Sequence, residues 1–207
     1  QLDRIVRVVG VQHAWQDVSN RIVFNMRSGS FDAFSPAAYF VLPEDSLQSA
    51  GAETTAQDIL RLAKHSMLNE SYEWTKSQKE NIADVLGIPM LYYEGGQHLT
   101  PYPFGSEQPY NQALMDAQTD PGMYNLYTEW FDSLKSVAGD SESLFMNFSF
   151  ISPKSGKYGS WGVLESQFYQ FPPYNQSAPK FQAILDNMCK TVNLSENKEL
   201  LTNYYLS

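Results

Sequence analysis

Four short runs along the chain are rich in β-branched and aromatic residues and end in polar ones. They cover residues 4–12, 31–40, 90–93 and 144–151. Buried parallel strands have this pattern, because both faces are covered while the carboxyl ends open toward a site. Pro36 lies within the second run and predicts a bulge or an irregular tip, because proline cannot donate a ladder hydrogen bond.

Between these runs, apolar residues recur at helical spacing. The spacing predicts a long helix over residues 55–86 that Gly87 and Pro89 end. A second helix is predicted over 121–137, where Asp120 is the N-cap and proline occupies the first helical position.

The remaining segments complete the predicted organisation. A third helix is expected over residues 179–190, and the mixed segment 13–30 has room for a short one. Strands that alternate with helices, without repeated hairpins, indicate an α/β fold with a parallel sheet. We expect one unit over residues 1–190 and a polar tail over 191–207.

The polar strand tips are where chemistry is expected, because such tips line the sites of parallel α/β folds. Glu94 directly follows the third run and precedes two glycines, which allow a tight turn and close approach of a substrate. A carboxylate there can attack an anomeric carbon or stabilise an oxocarbenium-like transition state. The alternative is a structural acid paired with an arginine or a lysine.

Aromatic residues in the loops after the strands offer a second indication. They are Trp15, Tyr102, Phe104, Tyr110, Tyr158 and Trp161. Indole and phenol rings offer flat platforms with a polar handle, which suit the apolar faces of sugar rings. The alternative is that these rings pack the loops onto the fold. Trp161, which lies between two glycines, is the ring that we most expect to bind a sugar instead.

Composition and charge exclude several classes of function. The chain has 207 residues, 43% of them hydrophobic, which is enough to bury a core. Its net charge of −9 should repel nucleic acids and anionic membranes, and no apolar run is long enough to span a bilayer. Cys189 is the single cysteine, so the chain has no cysteine metal cluster. The three histidines do not have the spacing of metal ligands. No cofactor is expected.

Four N-x-S/T sequons point to a secreted, extracellular glycoprotein. Asn69, Asn175 and Asn193 lie in polar surroundings and are the expected glycosylation sites. Asn147 lies in an apolar run, so we do not expect it to carry a glycan. The first residues lack the pattern of a signal peptide, so a signal has been removed or the chain begins within a larger product.

The segment LYYEGGQH, residues 91–98, resembles (β/α)8-barrel glycoside hydrolases of clan A and their uncharacterised relatives. In that clan the nucleophile is a glutamate at the end of strand seven, a tryptophan follows strand eight, and a tyrosine often lies near strand six. Glu94, Trp161 and Tyr39 match these positions. The resemblance covers residues 4–190 and implies an α/β fold that is the C-terminal half, strands five to eight, of a TIM-type (β/α)8 barrel.

One feature of the clan is missing from this chain. The clan's acid/base is a glutamate that follows an asparagine at the end of strand four, and the Asn69-Glu70 pair falls in a predicted helix instead. A retaining mechanism needs two carboxyl groups about 5–5.5 Å apart, and a full barrel takes about 250 residues. The resemblance therefore implies a fragment, a processed piece or a half that needs a partner.

The expected function is that of a retaining glycoside hydrolase acting on a polysaccharide or glycoside, incomplete as this chain. Glu94 would be the nucleophile, and Tyr39, Gln97, His98, Asn147 and Trp161 would contact the carbohydrate. The expected partner is an N-terminal half-barrel segment or other copies of the chain. One alternative is a non-catalytic carbohydrate-binding or structural glycoprotein, and another is an acidic binding module unrelated to sugars.

Overall fold

The computed structural model describes residues 5–139, 144–167 and 178–188. Four strands form within these ranges: β1 (Val8–Val11), β2 (Ala33–Pro36), β3 (Ala38–Val41) and β4 (Gly95–His98). β1 pairs in parallel with β2, and β3 pairs in parallel with β4. The described residues thus contain two small two-stranded sheets and no closed barrel.

Backbone hydrogen bonds join the two sheets into one row of segments that follows the order of the chain. Phe34 bridges in parallel to Met90, and Tyr92 bridges in parallel to Phe145. The Phe148 amide donates to the Gly95 carbonyl at 2.9 Å, which extends the row beyond β4. Residues 8–11, 33–41, 90–98 and 144–151 therefore lie side by side, all in one direction.

The last segment of the row pairs with the chain that follows it. Ile151 bridges in parallel to Leu164, and the Ser149 amide donates to the Trp161 carbonyl at 3.0 Å. Residues 161–164 therefore form one edge of the row. Among the described residues, β1 forms the opposite edge.

Eight α-helical segments accompany the strands in the described ranges. They are α1 (Gln16–Phe24), α2 (Glu44–Leu47), α3 (Ala56–Ser66), α4 (Tyr72–Gln78), α5 (Asp84–Leu86), α6 (Asn111–Asp116), α7 (Pro121–Ala138) and α8 (Pro179–Met188). Their apolar faces pack on one side of the strands, where Trp130 of α7 is fully buried against Phe40 of β3. This helix side contains the main hydrophobic core.

The predicted long helix is present, with two π-helical segments inside it. Met67–Ser71 links α3 to α4, and Lys79–Ala83 links α4 to α5. Thr55 and Asp58 form a capping box at the start, and Gly87 ends the helix in the left-handed conformation. Buried positions between Ile59 and Ile82 recur about every 3.8 residues, against 3.6 for an α-helix. The wider π turns accommodate that excess.

The other predicted elements are found with changed bounds. The run 4–12 contains the four-residue β1, and the run 31–40 is split into β2 and β3 just after Pro36, as its irregularity predicted. The run 144–151 makes only isolated bridges. α7 begins after Asp120, whose carboxylate accepts the Gly122 amide at 2.7 Å. The tail 191–207 lies outside the described residues.

The third run differs most from its prediction. The sequence predicts a strand over residues 90–93, with Glu94 to His98 as its polar tip. The structure instead places a bend at residues 93–94 and then continues with β4. Glu94 therefore lies at the amino end of β4 and not at the carboxyl end of a strand, where the resemblance to the clan places it.

Candidate functional site

The register of β3 and β4 decides which side chains face away from the helices. Phe40 points toward the helix side, and it is paired with Gln97. Because neighbouring residues of a strand point to opposite faces, Tyr39, Val41 and His98 lie on the other side of the strands. We call this second side the open face.

Glu94 lies at the edge of the open face, beside Tyr39. Its carbonyl accepts the Ala38 amide at 2.9 Å, which fixes its backbone against β3. Its side chain is half-buried. Within the ranges that the structure describes, no lysine or arginine forms an ion pair with it. The carboxylate is thus not held by a basic partner in the described part of the chain.

The Tyr39 hydroxyl lies near enough to this carboxylate for the two groups to influence each other. Burial raises the pKa of Tyr39, and the negative charge of Glu94 and a hydrogen bond to it add to the increase. A phenol in this setting remains protonated and can donate its hydrogen to the carboxylate. Tyr39 can therefore orient Glu94 and moderate its charge.

Four aromatic side chains form a cluster next to this pair, which we call the aromatic cluster: Tyr39, His98, Phe148 and Trp161. The Trp161 ring contacts the other three edge-on, with ring centroids 6.0, 5.0 and 5.9 Å away, respectively. Phe148 is 43% exposed. Burial lowers the pKa of His98, so its ring is neutral at pH 7 and can both donate and accept hydrogen bonds.

The position of Trp161 is fixed by the loop that carries it. Its indole N–H donates to the Tyr158 carbonyl at 2.7 Å. Gly159 has a φ of +85°, and a Cβ there would lie 2.7 Å from the Trp161 ring. Only glycine fits both the backbone conformation and the close contact.

Gln97 supports this loop from the helix side. It is 1% exposed; its Nε2 donates to the Ser160 carbonyl at 2.8 Å, and its Oε1 accepts the Leu99 amide at 2.9 Å. The buried amine of Lys180 donates to the same Ser160 carbonyl at 2.8 Å. The expectation that Gln97 bonds a sugar does not fit this geometry, because its amide is already bonded to the protein on the covered side.

Asn147 lies beneath the glycines of β4. A Cβ on Gly96, whose φ is +127°, would lie 2.9 Å from the Asn147 Oδ1. Both polar atoms of the Asn147 side chain are buried and have no hydrogen-bond partner among the described residues. The Asn147 side chain lies close to the Glu94 segment, but its polar atoms are buried and are not exposed on the open face.

A groove lies at the carboxyl ends of β1, β3 and β4. Its volume is about 650 Å³, and the loops after these strands line it together with part of the long helix. His98 belongs both to this groove and to the aromatic cluster. Two of its lining residues, Trp74 and Glu70, come from the long helix and were not predicted, because nothing local shows which helix face meets the strand ends.

The sequons differ in their surroundings. Asn69 is exposed in the first π-helical segment, and its Nδ2 donates to the His65 carbonyl at 2.8 Å. Asn175 and Asn193 lie outside the described residues. The side-chain amide nitrogen of Asn147 is buried.

None of the helices in the described ranges is both long and apolar enough to cross a bilayer. In the same ranges, no three histidine, cysteine, aspartate or glutamate side chains come together in a way that could hold a metal ion. No protein family, curated protein or solved structure matches this chain.

Proposed function

We propose that this chain supplies the C-terminal half, strands five to eight, of a TIM-type (β/α)8 barrel of the clan A glycoside hydrolases, with Glu94 as its nucleophile. The observation that carries the proposal is the Glu94 carboxylate beside the Tyr39 phenol, next to Trp161 on the face that the helices leave open. The row of parallel segments in chain order, with helices on one side, supports the fold.

The chemistry would begin with attack of the Glu94 carboxylate on the anomeric carbon of a bound sugar. This forms a covalent glycosyl ester and releases the leaving group, which needs a proton from an acid/base group. Tyr39 donates its hydrogen bond to the carboxylate before attack and keeps the attacking oxygen oriented. His98 and the face of Trp161 lie where they can contact the sugar ring.

The second carboxyl group is proposed to come from a segment that pairs with the outer edge of β1 or from another chain. Val8 is 45% exposed on that edge strand, and Met146 and Phe148 are also exposed. Exposed strand edges and apolar faces favour pairing with further strands. An N-terminal half-barrel would cover them and bring its acid/base toward Glu94.

A secreted, extracellular location belongs to the same proposal. The exposed Asn69 supports it, because its side chain is accessible to the enzymes that attach glycans in the secretory pathway. Mass spectrometry of the protein from a secreting eukaryotic host would test for a glycan at Asn69, with Asn69→Gln as the control.

A second candidate function is a carbohydrate-binding protein without catalysis. The aromatic cluster favours it, since stacking rings suffice for binding and the described residues show one carboxylate beside them. This candidate predicts that Glu94→Gln binds sugars as well as the unchanged protein does, and that neither cleaves them.

Trapping of the glycosyl ester tests the nucleophile directly. We expect the complete protein, incubated with activated 2-deoxy-2-fluoro glycosides, to gain one sugar mass on the peptide that contains Glu94. Glu94→Gln should lose both labelling and turnover while keeping its circular dichroism spectrum, whereas the exposed Glu53→Gln should keep both. Full activity of Glu94→Gln, or a label on another residue, would overturn the proposal.

A further inference from the structure

The groove at the strand ends has the size and the lining of a ligand site. Its volume of about 650 Å³ lies within the range of about 300–1,000 Å³ that is usual for such sites. Loops that follow three parallel strands form its walls, and ligands bind at this end of parallel sheets. Apart from His98, the residues of the groove lie outside the site of Glu94.

Aromatic rings form much of the groove's surface. Trp15 is 62% exposed and Phe104 is 61% exposed, while Trp74 and Tyr102 complete the aromatic part of the lining. Large exposed rings around one hollow are unusual for core-forming residues, which bury such area. They provide stacking surfaces for a ring-shaped ligand.

The charged groups of the groove all have one sign. Glu44, Asp45 and Glu70 line it, and no lysine or arginine does. In the part of the chain that the structure describes, these three carboxylates form no ion pairs. The electrostatic potential of the groove is therefore negative, which attracts cations and repels uronates and sulfated sugars.

His98 links the groove to the site of Glu94. Its ring lines the groove, and it lies 5.8 Å from the Tyr39 ring, whose hydroxyl meets the carboxylate. A linear ligand can therefore extend from the aromatic cluster past His98 into the groove. This continuity makes the groove a further subsite of the same cleft.

We propose that the groove binds the amino-sugar units of a cationic oligosaccharide, such as a chain of glucosamine residues. The carboxylates attract the ammonium groups, and the indole rings stack on the sugar rings whether or not these carry a charge. This inference rests on the proposed function for the direction of the chain, but binding in the groove does not require cleavage.

Binding of matched oligosaccharides tests the inference. We would titrate the full chain with a glucosamine hexamer, an N-acetylglucosamine hexamer and a galacturonic acid hexamer by calorimetry at pH 6. The first two share one backbone and differ in charge. We expect the glucosamine hexamer to bind at least tenfold more tightly than the acetylated one, and the galacturonate hexamer not to bind.

Charge-matched variants separate a local site from general attraction to an acidic protein. In Glu44→Gln/Asp45→Asn/Glu70→Gln the preference for glucosamine should disappear. The control Glu53→Gln/Asp116→Asn/Asp132→Asn changes the net charge equally at exposed positions outside the groove and should keep it. Trp15→Ala should weaken binding of both hexamers about tenfold while leaving their ratio unchanged.

The outcomes distinguish this inference from the proposed function. Equal affinity for the two hexamers, or the same loss in both triple variants, would overturn the cationic subsite even if Glu94 is labelled. Selective binding that also persists in Glu94→Gln supports the subsite, and it does so whether or not cleavage is observed.

Discussion

Gln97 and His98 are neighbours in the chain, yet their side chains serve opposite faces of the sheet. The Gln97 amide is bonded to Ser160 and Leu99 on the covered side, whereas the His98 ring contacts Tyr39 and Trp161 on the open face. Gln97 holds the loop that carries Trp161, and His98 lies within the site itself.

This division predicts different effects of substitution. Gln97→Met preserves the side-chain length but leaves the buried Leu99 amide unpaired, so we expect the free energy of unfolding to fall by about 1–3 kcal/mol. Denaturant unfolding followed by tryptophan fluorescence measures it. His98→Gln should change stability less and carbohydrate binding more. The reverse ranking would show that the two faces have been assigned wrongly.

The same pair shows what the sequence could and could not predict. Apolar residues identify the run 90–93, but Gly95 and Gly96 have low strand propensity and indicate a turn. Their pairing depends on Ala38 and Phe148, which are distant in the chain. Extending the strand to His98 places Gln97 and His98 on opposite faces by two-residue alternation, so that only one of them can belong to the site.

Other parts were predictable to the extent that their signals were local. The cap at Asp120 and the stop at Gly87 are local signals, and the structure has both. The positions of Glu94 and Tyr39 follow from strand order, so the sequence could suggest their proximity only through a family resemblance. The contribution of Glu70 to the groove depends on helix packing and had no local signal.

Gly95 predicts a steric limit at the site. An added Cβ would lie 2.3 Å from the Ala38 carbonyl oxygen and 2.7 Å from the Phe145 ring. We therefore expect Gly95→Ala to destabilise the protein by about 1–3 kcal/mol, as overpacking does. Gly10→Ala is the control, because its Cβ would meet its nearest neighbour, the Tyr93 ring, at 3.6 Å. Thermal unfolding compares the two, and equal shifts in Tm would contradict the close approach.

Lys180 predicts a rise of stability with pH. Burial lowers the pKa of its amine from 10.5 to about 7, whereas an unfolded lysine keeps its proton to much higher pH. The unfolded chain then binds more protons above pH 7, so the free energy of unfolding increases with pH, by up to about 1.4 kcal/mol per unit.

Unfolding of the unchanged protein and of Lys180→Met between pH 7 and 9 tests this. The variant should lose the slope, and the exposed Lys64→Met should retain it. A slope that survives in Lys180→Met would assign it to another group.

His13 predicts a loss of stability in weak acid. Its Nε2 lies 2.6 Å from the Thr75 Oγ1, and burial lowers the pKa of the ring to about 4. Between pH 4 and 6.5 the unfolded chain binds a proton that the folded one does not, so stability falls as the pH falls through this window. Hydrogen bonds from Arg7 and from Thr55 lower the pKa of Asp32 and of Asp58, respectively, to about 2, so these carboxylates contribute only below this window.

His13→Gln should reduce the acid dependence between pH 6.5 and 4, and the part that remains belongs to His98, whose pKa burial also lowers. Urea unfolding at half-unit steps measures both variants, His13→Gln and His98→Gln. An unchanged pH dependence in His13→Gln would show that the His13 ring takes up its proton at the same pH in the folded and the unfolded chain.

The two π turns of the long helix restrict how its length can change. Each accommodates residues beyond the α repeat and so keeps the downstream turns facing the same way, whereas removing one residue from the regularly wound α3 would rotate everything downstream by about 100°. Thr75, which holds His13, would then turn away from the core, and Trp74 and Glu70 would leave the strand ends. Variation in length along this part of the chain should therefore be confined to the loops on either side of the helix.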